Sequence, residues 1–417
     1  MKKTISILAL LLTVALSCSS CSSLLRYQTT KTEEHTQQTE TSDQESAVRE
    51  ESVTETTIDQ TVNNITITGG STDVAYAAAS GLRSIVSVYA SSRNASGAGS
   101  GVILRLDGET GSAFVITNYH VVYMSGSYFQ KGGICDEIFL FLYGMESDAY
   151  AIPATFVGGS ASYDIAVLYV ENSDLLKNAY ASGSAAAANI ADSDLLTPGE
   201  TAIAIGNPEA SGISVTTGIV SVDSEYITMT ASDYSGEVEL RVIRIDTAVN
   251  SGNSGGGLFD AEGKLIGIVN AKISASDVEN IGYAIPSNVA CAIADNIIDY
   301  CFETDCVTVM RGIMGVTVGV SALSTAFDSE TGRFERIEEV YIHEVVSGGL
   351  AEGNLQAGDI VLSIAVGDKV KAVTRQHHLI DAMLNVRVGD TVTTTVLRDG
   401  KEIAISTVIT EDCLTAY

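Results

Sequence analysis

The chain has 417 residues, with 23 Lys and Arg against 52 Asp and Glu, and a formal net charge of −29 at pH 7. That length accommodates about two or three domains of roughly 150 residues each, beside a tail. The charge excludes a nucleic-acid partner, whose phosphates it would repel, and excludes polybasic attraction to anionic lipid.

Residues 1–17 read as a lipoprotein-type signal peptide. Lys2 and Lys3 form a charged start, and Ile5 to Leu16 form an apolar stretch too short to cross a bilayer. Val14-Ala15-Leu16-Ser17-Cys18 resembles a bacterial lipobox, in which the cysteine is lipidated and becomes the new N-terminus. Cys18 fits that pattern better than Cys21, because an apolar residue stands three places before it. Acyl chains would hold the protein to a membrane by burying methylenes, about 0.8 kcal/mol each. Plain secretion with cleavage nearby is the alternative.

Residues 18–72 read as a disordered polar tether. Arg26 to Gly70 is dominated by Thr, Glu, Gln and Ser, which bury too little apolar surface to offset the entropy of ordering. From Ala75 onward, short runs rich in Val, Ile and Thr alternate with Gly, Asn and Asp. Strands are expected at Ile85–Tyr89, Gly99–Leu104, Ala113–Thr117, Ile138–Tyr143 and Ile165–Val170. More follow at Thr201–Ile205, Ser214–Val222, Leu240–Ile245 and Lys264–Val269. This spacing predicts a mainly β chain built from barrels or sandwiches rather than βαβ units. Ser287–Tyr300 carries helical spacing, with Ser287 placed to cap it, and closes the first domain, 73–305. The second domain, 306–417, has strands expected near Val340–Ile342, Ile360–Ile364 and Val392–Leu397, and a helix near Gln376–Leu384.

Of seven cysteines, Cys301 and Cys306 lie close enough in sequence to pair. Two unpaired thiols near a helix end fit equally well. Export permits disulfides, and no CxxC metal pair occurs within the folded region.

Three segments carry chemistry. Gly252-Asn253-Ser254-Gly255-Gly256 offers a serine between glycines that allow a tight turn. The amides of this loop, Gly252, Asn253 and Ser254, form a candidate oxyanion hole, with Gly252 and Ser254 pointing at one spot. A hydroxyl needs a base, and His120 in Thr117-Asn118-Tyr119-His120-Val121-Val122 is the only His of the first domain. Asp164, just before the apolar run Ile165–Leu168, can be partly buried and orient the imidazole. Each alone has a bland explanation: a Gly-rich hairpin, a structural His, an Asp capping a turn. Together they run His, Asp, Ser, the chymotrypsin order. The chemistry calls for no metal and no cofactor, and no HExxH cluster is present.

On these motifs the stretch Ala75–Ser287 resembles the HtrA/Deg family of trypsin-like serine proteases. Ala204-Ile205-Gly206-Asn207-Pro208, then Val215-Thr216-Thr217-Gly218-Ile219-Val220-Ser221, resembles that family's signature before the nucleophile. Gly282-Tyr283-Ala284-Ile285-Pro286-Ser287 resembles its exit into the linker helix. The resemblance implies two perpendicular six-stranded barrels with the active site between them. It departs from the family at Tyr119, where Asn is common, at Ser251, where Pro is common, and in a longer Ala-rich stretch from Ser173 to Asp194. In trypsin-like folds the residue six before the nucleophile lies at the base of the specificity pocket. Here it is Ala248, which would favour cleavage after small or medium aliphatic residues.

In the second domain, Arg311-Gly312-Ile313-Met314-Gly315-Val316, Val345–Ala351, Leu355–Val361 and Leu397–Lys401 together resemble a PDZ domain. The segment Gly312, Ile313, Met314, Gly315 would hold the C-terminal carboxylate of a peptide, and the adjoining strand would pair with its backbone. The family resemblance implies quality control by a surface or periplasm-facing endopeptidase acting on unfolded or damaged exported proteins, and it implies trimers. The alternative is a catalytically weak peptide-binding or chaperone protein on the same fold, or a signalling protease with one membrane partner.

Overall fold

The structure is a computed structural model that describes residues 61–62, 65–66, 74–93, 95–126, 132–207, 212–272, 281–329 and 333–417. The signal peptide and most of the tether, Cys18 included, lie outside them. Within the expected tether, Thr61–Val62 and Ile65–Thr66 pair as a two-stranded ribbon, so that segment is not wholly without structure.

The first six long strands are β1 (Ile85–Ser92), β2 (Ala95–Leu106), β3 (Ala113–Thr117), β4 (Glu137–Leu142), β5 (Ile152–Ser160) and β6 (Ile165–Val170). They close into a barrel in the order β6-β3-β2-β1-β4-β5. The next six are β7 (Thr201–Gly206), β8 (Ser214–Thr230), β9 (Glu237–Ile245), β10 (Gly257–Phe259), β11 (Leu265–Val269) and β12 (Gly282–Pro286). They close a second barrel in the order β7-β8-β9-β12-β11-β10. Two six-stranded barrels are what the resemblance implied.

Several strands are buried on both faces. β6 reads Ile-Ala-Val-Leu-Tyr-Val and β11 Leu-Ile-Gly-Ile-Val, with no polar alternation. The second face is covered by helices. α1 (Val74–Leu82) packs on β7 and β10, and α4 (Ser287–Cys301) lies across β5, β6 and β11. Val289, Ile293 and Ile297 of α4 are fully buried in one core with Ile165, Val167, Ile205 and Phe259 from both barrels. Burial of each such side chain contributes about 1.5–3 kcal/mol. The short helix α2 (Tyr119–Val122) follows β3 within the first barrel, and α3 (Asp174–Ala181) lies in the connection from β6 to β7, inside the Ala-rich stretch.

Ser287 does not cap α4. It is the first helical residue, after Pro286 at the cap position, and its hydroxyl donates instead to Ala191 O (2.8 Å). The proline fixes the turn out of β12, and the hydroxyl of Ser193, from far along the chain, accepts from the first-turn amide of Asn288 (3.1 Å). At the other end Cys301 and Cys306 are joined in a disulfide.

Beyond α4, β13 (Met310–Gly312) pairs with β20 (Leu414–Ala416). A larger sheet contains β14 (Val316–Asp328), β15 (Arg333–Val345), β16 (Ile360–Val366), β17 (Lys369–Ala372), β18 (Thr391–Arg398) and β19 (Lys401–Val408). Its order is β14-β15-β16-β18-β19, with β17 paired to β16. α5 (Gln376–Ala382) packs on this sheet.

This domain is fastened to the second barrel by buried charge. Arg241 on β9 is 5% exposed. It donates to Asp194 (2.7 Å) and to Asp381 of α5. Lys371 also pairs with Asp194, and Arg375 with Asp223 (2.9 Å). His377 and His378 are buried beside this cluster, and burial pushes both down to about 4. Asp194, His377 and His378 could together offer three ligand atoms to an ion. Two cations already sit on Asp194, so a third would meet a carboxylate whose charge is spent.

Candidate active site

The two barrels contribute different halves of the site. His120 lies on α2, where β3 ends, and Asp164 on the turn between β5 and β6. Ser254 lies on the turn before β10. The three motifs, far apart in the chain, converge where the barrels meet.

Asp164 is completely buried and carries a left-handed backbone, φ +53°. Such a conformation costs on the order of 1–3 kcal/mol in a non-glycine residue. It is held by Asn118, whose side-chain amide donates to Asp164 O at 2.9 Å. The reward is a carboxylate with four donors. Oδ1 accepts from the His120 backbone amide (3.0 Å) and from Ser232 Oγ (2.5 Å). Oδ2 meets His120 Nδ1 (2.7 Å) and accepts from Asn270 Nδ2 (2.8 Å). Burial pushes the carboxyl up, but the charge and hydrogen bond of His120 and the hydrogen bond of Ser232 outweigh it, leaving Asp164 below its usual value. It therefore stays ionised and acceptor-only at neutral pH, so Nδ1 of His120 must carry the proton and Nε2 is left as the free base.

The nucleophile loop is set by two left-handed glycines, Gly252 (φ +96°) and Gly255 (φ +82°). A Cβ on Gly255 would lie 2.2 Å from Ser100 O and 2.3 Å from Thr117 Oγ1. The loop is pinned by Ser100 of β2, which is fully buried. Ser100 Oγ donates to Gly252 O (2.8 Å) and accepts from the Asn207 amide (2.8 Å), and its own amide donates to Ser254 O (2.8 Å). The Asn253 amide donates back to Asn250 O (3.0 Å). Asn253 is therefore not an oxyanion donor in this arrangement, a correction to its place in the expected set. A tight turn has taken its proton. The amides of Gly252 and Ser254 donate to no described residue and remain free for an oxyanion.

Ser254 Oγ accepts from the Ala271 amide at 3.2 Å, and no hydrogen bond joins it to His120. Catalytic contacts of this kind often form only when substrate is bound. Ala248 is exposed on the loop after β9, where its carbonyl accepts from Thr216 Oγ1 (2.9 Å).

In the second domain, the carbonyls of Ile313, Met314 and Gly315 accept from Leu350, Ala351 and Val346. Their amides donate to no described residue, and β14, which follows, forms one edge of its sheet. Gly312 is paired within β13 instead. Arg311 stacks on the Tyr417 ring and donates to Tyr163, the neighbour of Asp164.

Ser100, Asn118, Ser232 and Asn270 were not singled out from the sequence. Asn118 lies within the His120 motif and Asn270 directly follows an apolar strand. A polar residue fixed between an apolar run and a turn was the available signal for both. Ser100 sits between two glycines, and nothing local marks Ser232.

Comparison with known proteins agrees with this geometry. Residues 99–268 match the trypsin-like peptidase domain family, and residues 312–409 match the PDZ domain family. Serine protease Do-like HtrA of Bacillus subtilis (strain 168) is 36% identical over 316 residues, covering 74% of this chain and 62% of that protein. Serine protease Do-like HtrA of Lactococcus lactis subsp. cremoris (strain MG1363) is 35% identical over 313 residues, covering 73% of this chain and 68% of that protein. Among solved structures, the HtrA-type protease AlgW with tripeptide superimposes with a TM-score of 0.53 at 27% identity, over 83% of this chain and 98% of that one.

Proposed function

Because the chain belongs to the HtrA family of serine proteases, we propose that it is an exported serine endopeptidase using Ser254, His120 and Asp164. The observation that carries this reading is the Asp164–His120 pair, 2.7 Å long and supported by three further donors, facing a glycine loop with two free amides. Asp164 fixes the imidazole tautomer. Nε2 takes the Ser254 proton as Oγ attacks the scissile carbonyl, then returns it to the leaving amine. The amides of Gly252 and Ser254 receive the oxyanion; removal of one such donor typically lowers the rate about 10²–10³-fold. The hydroxyl must first leave the Ala271 amide, a side-chain rotation that substrate would drive. No cofactor enters any step.

The substrates on this reading are unfolded or damaged exported polypeptides, which enter as an added strand. Ala248 in place of an acid, at the position the family resemblance gives to the pocket base, supports preference for small or medium aliphatic residues at the cleavage position, which a peptide library would reveal; a strong preference for Arg would count against it. The PDZ segment Ile313–Gly315 supports capture of peptide C-termini. The Val14–Cys18 motif supports a lipid anchor at Cys18 facing the periplasm or exterior, and one relative is named a periplasmic endoprotease, DegP of Escherichia coli (strain K12). Assembly as a trimer belongs to the same reading.

The Ser254–Ala271 contact favours the second reading, a peptide-binding protein with weak catalysis. Casein digestion separates the two. The protein should degrade casein and Ser254→Ala should not. Equal activity of the two, or none in either with a folded protein, removes the endopeptidase reading.

A further inference from the structure

The hairpin joining β8 and β9 is long enough to leave its own barrel. Its tip, residues 231–236, closes with the Ala231 amide on Gly236 O (2.8 Å), and Ala231 and Ser232 are both buried. The tip reaches the turn of the first barrel that bears Asp164. The Ser232 amide donates to Ala161 O at 3.0 Å, and the Ser232 hydroxyl donates to Asp164 Oδ1 at 2.5 Å. A short bond of this kind is typical of a hydroxyl on a carboxylate.

The direction of that bond is set by a third residue. Lys272, two positions beyond Asn270, places Nζ 3.3 Å from Ser232 Oγ, 3.5 Å from Thr230 O and 5.3 Å from the centre of the Tyr234 ring. An ammonium only donates and an ionised carboxylate only accepts. With Lys272 on its lone pair, Ser232 has one place left to send its proton.

We propose that Ser232 is a positioning residue of the triad, and that Lys272, by orienting the Ser232 hydroxyl toward Asp164, makes the 231–236 hairpin tip of the second barrel part of the catalytic machinery of the first. The proposal rests on the protease reading above. Oδ2 already serves His120 Nδ1 and Asn270. Ser232 and the His120 amide hold Oδ1, and so fix the rotation of the carboxylate about its own axis. The charged and titratable groups around this contact are His120 and Tyr119 on α2, Tyr163 beside Asp164, Asp233 and Tyr234 on the tip, and Lys272. Without Ser232 the carboxylate keeps more of its charge for the imidazolium, and the ring becomes harder to deprotonate.

The test is the pH profile of kcat/KM on a peptide substrate for the intact protein, Ser232→Ala, Ser232→Thr and Ser254→Ala. Rates are normalised to sites titrated by a fluorophosphonate in the variants that keep Ser254, so a misfolded fraction does not enter, and to folded protein in Ser254→Ala. Ser232→Ala should lose about tenfold in kcat/KM at pH 7, in kcat rather than KM, the scale of one hydrogen bond to a charged group. Its acid limb should move to higher pH. Ser232→Thr, which keeps the hydroxyl, should restore both, and Lys272→Met should shift the profile in the same direction by less. A Ser232→Ala profile within twofold of the parent at every pH would overturn the proposal. So would equal losses in Ser232→Ala and Ser232→Thr with no movement of the acid limb. Full activity in Ser254→Ala would instead bring down the protease reading itself.

Discussion

Ser87 and Ser100 stand opposite each other on β1 and β2, and both are buried. They should respond in opposite ways to the same substitution. Ser100 Oγ donates to Gly252 O and accepts from the Asn207 amide, both at 2.8 Å. Ser100→Ala strips a partner from two buried backbone groups, at about 1–3 kcal/mol each, or roughly 2–6 kcal/mol together. It also frees the peptide between Gly252 and Asn253, whose carbonyl rests on Ser100 and whose amide rests on Asn250. The Gly252 amide is then no longer held toward the oxyanion, and kcat should fall by up to about 10²–10³. Ser87 Oγ has no hydrogen-bond partner, so Ser87→Ala removes a buried hydroxyl that already lacks one. That change should be neutral or stabilising by roughly 1 kcal/mol, with activity unchanged. Thermal melts and peptide hydrolysis read both effects. At about 2–4 °C per kcal/mol for a unit of this size, Ser100→Ala should lower Tm by several degrees and Ser87→Ala should not. Equal Tm and kcat in the two variants would refute the reasoning.

Arg241 offers a second prediction. Arg241→Ala leaves Asp194 and Asp381 buried without their shared guanidinium, and should cost about 3–5 kcal/mol, seen as a lower Tm or early release of the domain beyond α4 to limited proteolysis. An unchanged melt would mean that the domain is held by apolar contact alone. The same interface predicts a pH dependence. His377 and His378 hold out against protonation to about 4 in the fold, through burial, whereas the unfolded chain takes protons near 6.5. Stability should therefore fall as pH drops from 6.5 toward 4. Burial raises Asp381 to about 6, so it takes its proton before the unfolded chain does and offsets one of the two histidines over the same window. Tm measured from pH 7 to 4.5 should decline, and His377→Asn with His378→Asn should flatten the decline. A curve equally steep in that double variant would contradict the assignment.

The barrels were legible because their strands are dense in β-branched residues and punctuated by glycine. Ala113–Thr117 and Ile165–Val170 were bounded to the residue. What the sequence concealed has physical causes. The strand from Ser214 is expected to stop at Val222, yet it runs to Thr230, because Tyr226, Thr228 and Thr230 face outward on a hairpin that leaves the barrel. β10 (Gly-Leu-Phe) and β12 (Gly-Tyr-Ala-Ile-Pro) are too short for pattern to mark them, and they are strands because the barrel closes on them. Helix α3 hides in an Ala-rich insertion that looked like loop. The candidate triad is legible because each member sits beside an apolar strand in a fixed chain order. Its supports were not, since Ser100 and Ser232 reach their partners across 152 and 68 residues. The Asn253 amide was assigned to the oxyanion hole on loop position alone, and the turn to Asn250 is a backbone choice that no residue type announces.

The central claim is that Ser254 is activated by an imidazole which Asp164 holds in one tautomer. A fluorophosphonate reacted with the purified full chain, followed by peptide mapping, tests it most directly. The account predicts a single adduct on Ser254, absent in His120→Ala and slowed by orders of magnitude in Asp164→Asn. No adduct on Ser254 in the folded protein, or an adduct formed equally fast without His120, would contradict it.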